Sequence, residues 1–129
     1  AYHELFDIEL MDLCSQNSIL AAEREYFLGI VSRNYKSDQL LPALTYFENA
    51  YELIKDENIA ELTWKILYSI SDLYIERGNL NKAKQFVVYT RELIYFIAEK
   101  IKSPRLRAAY LKQKYRKKSL EKLENFYTA

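Results

Sequence analysis

Apolar residues recur at three- and four-residue steps along nearly the whole chain, and the breaks between these runs are short. The stretch that sets the pattern lies at residues 67–87. There Leu67, Ile70, Leu73 and Tyr74 share one helix face, and Arg77-Gly78-Asn79 interrupts it. A second helical run then carries Leu80, Ala83, Phe86 and Val87. Gly and Asn tolerate the positive φ that closes a helix, so this reads as a helical hairpin. Extended along the chain, the periodicity predicts seven helices, over 3–15, 19–34, 39–55, 59–77, 80–101, 104–117 and 120–127. Phe6, Leu10, Leu13 and Cys14 point inward in the first, and Phe27, Ile30 and Val31 in the second. Ser37 or Asp38 caps the third, with Pro42 in its first turn, and Ser103 caps the sixth, with Pro104 at its first position. The fold class expected is all-α.

The chain also repeats itself with a period of 40 residues. Phe6, Tyr46 and Phe86 form one aromatic column, and Leu13, Leu53 and Leu93 an aliphatic one. Cys14, Ile54 and Ile94 align, as do Ile30, Ile70 and Tyr110, and Leu40, Leu80 and Leu120. Asp12, Glu52 and Glu92 keep an acid in register, and Ala43 and Ala83 a small residue. Chance supplies one such column, not six in one register.

Leu67, Ile70, small Ser71, Tyr74, Gly78, Ala83 and Val87 fall on the signature spacing of the tetratricopeptide (TPR) repeat, which this stretch resembles. The resemblance implies antiparallel helical hairpins stacked as a right-handed superhelix, here with helices about a turn longer than the usual 34-residue repeat. Residues 96–111, with their Lys-Ser-Pro turn and Leu-Arg-x-x-Tyr-Leu helix, look like the C-terminal close of TPR regions in large bacterial signalling regulators. The chain begins Ala1-Tyr2-His3, without an initiator Met and already in a helical pattern, so it reads as a piece of a longer regulatory protein.

Composition narrows the picture further. The 129 residues read as a single domain, 1–129, and two Gly and two Pro are too few for a turn-rich sandwich or barrel. Cys14 is the one cysteine, so no intrachain disulfide forms, and it sits in an apolar column as a core thiol. With no membrane-length apolar run and no signal-peptide pattern, the expectation is a cytoplasmic protein without membrane contact. The net charge of +1 gives no overall field, so nucleic acid is not the expected partner. Charge is nevertheless uneven, with acids Glu4, Asp7, Glu9, Asp12, Glu23 and Glu25 near the start and a Lys/Arg-dominated stretch from Lys100 to Lys122. That basic end is a solvated cap, a site for an acidic partner or nucleic-acid backbone, or one half of a head-to-tail contact between copies.

Catalytic chemistry is not expected. His3 is the only histidine, no Gly-rich phosphate loop exists, and the turn acids Asp38, Asp56 and Glu57 are explained by capping. No cofactor or metal is expected either, since His and Cys ligands are too few. The TPR pattern instead implies a concave face that binds a protein or peptide partner, or another domain of the same protein. Mapped here, that face takes Tyr35 and Lys36 with Gly29 from the second helix, Lys65, Tyr68 and Asp72 from the fourth, and Arg105, Lys112, Tyr115 and Arg116 from the sixth. The competing reading is that Tyr35, Tyr68 and Tyr115 lie over the core. Some TPR domains clamp a C-terminal carboxylate at these positions. Only Lys65 fits that pattern, so such a clamp is not expected. The function expected is a protein–protein interaction module, with a structural spacer or self-association element, or binding through the basic end, as alternatives.

Overall fold

In the computed structural model the backbone is described over residues 2–35 and 40–128, and the side chains over 17–35 and 42–126. The described residues form six helices and no strand: α1 (Tyr2–Tyr35), α2 (Leu40–Ile54), α3 (Ala60–Glu76), α4 (Leu80–Lys100), α5 (Pro104–Lys112) and α6 (Lys114–Thr128). The chain is all-α, as expected. It divides into two compact units, Ala1–Ile59 and Ala60–Ala129.

The repeat is visible in what α2 and α4 bury. Both begin 40 residues apart, at Leu40 and Leu80. Ala43 and Ala83, Phe47 and Val87, Ala50 and Thr90, and Ile54 and Ile94 are equivalent positions, and all eight are 0% exposed. Steps of four, three and four residues put each set on one helix face.

In the first unit, α2 returns along the C-terminal half of α1. The two helices expected over 3–15 and 19–34 run as one helix of 34 residues. Ser15-Gln16-Asn17-Ser18 is polar but contains neither Gly nor Pro, and each such residue costs a helix at most about 0.7 kcal/mol relative to Ala. The buried face of α1 is also rotated from the expected one. Phe27 is 66% exposed, whereas Ala22 and Gly29 are buried. The reason is Phe47 of α2. Its ring lies where a Cβ on Gly29 would stand, 2.6 Å away, and 5.8 Å from the Tyr26 ring. A helix with small residues on one side and Phe on the other lets its neighbour approach on the small side. Ser37 and Asp38 lie outside the described residues, as do the side chains of Phe6, Leu10, Leu13 and Cys14.

In the second unit, α3 and α4 form an antiparallel hairpin. Tyr74 stacks on Phe86 near the turn, with centroids 5.7 Å apart, and Trp64 meets Ile94 at the far end. The turn closes as the sequence predicts. Gly78 has φ +77°, Asn79 N–H donates to Tyr74 O at 3.0 Å and Gly78 N–H to Ile75 O at 3.1 Å. Asn79 then serves as N-cap of α4, its side chain accepting from Lys82 N–H. Buried hydroxyls are satisfied within their own helices: Ser69 donates to Lys65 O, Ser71 to Tyr68 O and Thr90 to Phe86 O, at 3.0, 2.7 and 2.7 Å.

Ser103 caps α5 and Pro104 opens it, as expected. The next boundary moves: α5 stops at Lys112 and α6 starts at Lys114, where one helix to residue 117 and another from 120 were expected. Gln113 makes the break. Its backbone turns out of the helix at ψ 133°, and its Oε1 accepts from the amides of Tyr115 and Arg116 at 3.1 and 3.2 Å. Gln is an uncommon cap, so the residue type alone does not signal the break.

Candidate interaction surfaces of the second unit

The residues expected to line a groove are placed unequally. Tyr68, Asp72, Tyr115 and Arg116 come together in the second unit, where they hold α6 against α3. Trp64, Ile94 and Leu120 form a buried cluster joining α3, α4 and α6, with Tyr68, Leu93, Ile97, Tyr110 and Leu111 packed around it. The Tyr115 ring covers Trp64 at 5.6 Å and meets Tyr68 edge-on at 6.1 Å. Asp72, buried, pairs with Lys122. On the other flank, Arg91 of α4 pairs with Glu124 at 2.6 Å.

Arg116 is the centre of a second network, and its partner Glu61 lies 55 residues away in sequence. The guanidinium donates twice to Glu61 Oε1, at 3.2 and 2.8 Å. It also donates to Tyr110 O at 3.2 Å and lies 3.8 Å from the centre of the Tyr110 ring. Tyr110 O–H donates to the other oxygen, Glu61 Oε2, at 2.7 Å. Burial pushes the Glu61 carboxyl up, but Tyr110, the Trp64 indole and Arg116 together hold it below its usual value. Trp64 Nε1–H makes no hydrogen bond of standard geometry, so its effect on Glu61 is that of a nearby dipole. Tyr110 is pushed up to about 12 by burial first, then by its bond to Glu61 and that residue's charge. Both carboxylate oxygens of Glu61 are therefore occupied. No local motif announces Glu61 or Tyr110. Only their separate helix registers could have been read.

The remaining expected residues are not part of these networks. Lys65 is half-buried, and Arg105 and Lys112 are exposed on α5. Tyr35 lies in the first unit and is 84% exposed. Lys36 lies outside the described residues. Gly29, expected on the binding face, is covered by Phe47. Arg107 was also missed. It donates to Ala98 O at 3.2 Å and twice to Ile101 O at 3.1 and 2.9 Å, closing the C-terminal end of α4.

A different surface, on α4, is partly open. Lys82, Phe86, Tyr89, Leu93, Phe96 and Lys100 follow one another on α4 at alternating steps of four and three residues, the spacing of a helix-packing seam. Phe86 and Leu93 are half-buried, but Tyr89 and Phe96 are 57% and 51% exposed. Lysines stand at both ends, with Lys82 5.6 Å from the Tyr74 ring centre and Lys100 4.9 Å from that of Phe96.

Among the described residues, no group of three or more His, Cys, Asp or Glu could hold a metal ion. No helix there is long and apolar enough to cross a membrane. No protein-family model, no curated protein and no solved structure matches this chain.

Proposed function

We propose that the chain is a TPR-like protein–protein interaction module of a larger cytoplasmic regulator, and that it takes a partner helix along α4. The observation that carries this reading is the seam of Phe86, Tyr89, Leu93 and Phe96 bracketed by Lys82 and Lys100. Aromatic side chains on a rigid helix offer much contact area for little lost side-chain freedom. The seam's spacing fits an apolar stripe on another helix, and the terminal lysines fit an acid near each end of it. The partner is a segment of another protein or of another domain of the same protein. Catalysis is not part of this reading. Tyr68, Asp72, Tyr115 and Arg116 contribute by seating α6 against α3.

The test is capture from a bacterial extract with the native chain and with Tyr89→Ser/Phe96→Ser, followed by crosslinking through lysine. Both changes lie on exposed positions, so circular dichroism should report equal helicity. The reading expects a protein held by the native chain, released by the variant, and crosslinked to Lys82 or Lys100. Equal retention by both chains, or crosslinks that avoid α4, would sink it.

A further inference from the structure

The net charge of +1 conceals two opposite units. Residues 1–59 hold four Lys and Arg against eleven Asp and Glu, a net −7, while residues 60–129 hold fifteen against seven, a net +8. Each excess is concentrated. Residues 1–23 contain five acids and no Lys or Arg, and residues 100–120 contain nine Lys and Arg and no acid.

The structure separates the nine cations by role. Arg107 closes the end of α4, Arg116 binds Glu61 and Lys100 lies over Phe96. Lys102, Arg105, Lys112, Lys114, Lys117 and Lys118 are exposed and have no ion-pair partner among the described residues. Arg105 and Lys112, seven residues apart, share a face of α5, and Lys114, Lys117 and Lys118 share one on the first turns of α6. That second group stands where the helix dipole is positive, and α6 has no acid in its first turn. Cations there oppose the dipole, so the local helix is weakened unless an outside anion compensates.

We infer that the basic face of α5 and α6 docks the acidic N-terminal half of α1 from a second copy of this chain. The complementary charge is present in every copy, as the acids of residues 4–12 on one continuous helix and the cations of residues 102–118. When each of two copies docks the acids of the other in this way, the assembly is an isologous dimer. Attraction between opposite surfaces of this kind steers encounter and weakens steeply with salt. The inference is independent of the partner helix proposed for α4, because it uses α5 and α6.

Sedimentation of this chain over about two decades of concentration tests it. Raising salt from about 0.01 M to about 1 M shortens the screening length from about 30 Å to about 3 Å. The expected result is a dimer at the low end and a monomer at the high end. Lys112→Glu/Lys117→Glu/Lys118→Glu should be monomeric at low salt with helicity retained. Adding Glu4→Lys/Asp7→Lys/Asp12→Lys to that chain should restore the dimer. A native chain that stays monomeric at low salt overturns the inference without any variant. So does a dimer that persists at high salt or survives the triple reversal. Heparin binding by a chain that remains monomeric also overturns it, and gives the basic face to a polyanion.

Discussion

Gly29→Ala sets two opposing effects against each other inside the first unit. In an ordinary helix interior the exchange stabilises by about 1 kcal/mol, because Ala loses less backbone freedom on folding. At this position the new Cβ would lie 2.6, 2.7 and 2.9 Å from Cε1, Cδ1 and Cζ of Phe47. Carbon atoms in contact prefer about 3.5–4.0 Å, so the ring must withdraw by about 1 Å. It has little room to do so, since Phe47 is 0% exposed and packs on Tyr26. Overpacking of this kind costs about 1–3 kcal/mol. Subtracting the propensity gain leaves a net destabilisation of about 1 kcal/mol. Urea unfolding followed by circular dichroism gives the sign, and hydrogen exchange over residues 40–54 locates the effect on α2. Phe47→Leu in the same chain should relieve the crowding, so the double variant should be more stable than the two single changes sum to. A Gly29→Ala chain more stable than native by about 1 kcal/mol would refute the close approach of α1 and α2.

Gly78→Ala should destabilise by about 1–2 kcal/mol for a different reason: its Cβ meets nothing within 4 Å, but φ is +77°. A Gly78→Asn chain should recover part of the loss in thermal unfolding, since Asn tolerates that conformation better. Tyr110 predicts an alkaline transition. Its folded value is raised from 10.0 to about 12, so its stabilisation is complete below pH 10 and is lost as pH rises through about 12. The full shift would correspond to about 2.7 kcal/mol, and partial hydration of the site brings the expected loss to about 1 kcal/mol. Unfolding free energies measured across that window should fall for the native chain and stay level, relative to it, for Tyr110→Phe. Glu61, held below its usual value, acts at the other end, with stabilisation present above that value and lost as pH falls through the folded one.

Much of the architecture could be read from local features. Leu40 and Leu80 open equivalent helices, Gly78 closes a turn, and Ser103-Pro104 starts α5, because each signal acts within a few residues of its effect. What escaped depended on partners far along the chain or on unusual chemistry. The polar run at 15–18 fails to stop α1, since polarity alone does not break a helix. The face of α1 that is buried is decided by Phe47, not by the hydrophobicity of α1 itself. Tyr68, Asp72, Tyr115 and Arg116 fall in the expected groove together with Tyr35, Lys36, Lys65, Arg105 and Lys112, and periodicity cannot distinguish an open groove from a seat for α6. That distinction rests on Glu61 and Lys122, each at least 50 residues from the residue it pairs with. The partition of charge between the units was in the composition, hidden by its near-cancellation.

Trp64 gives this chain a built-in optical probe. It is the only tryptophan, fully buried, and the α6 residue Tyr115 covers it at 5.6 Å. Its emission arises only from the second unit and should lie toward the blue while α6 is seated. Water reaching the indole as α6 lifts would shift that emission to the red. Tyr115, carried away on α6, would at the same time transfer less excitation to it. The seating of the last helix can thus be watched in real time, without a label, in a molecule whose twelve tyrosines would otherwise blur any absorbance signal.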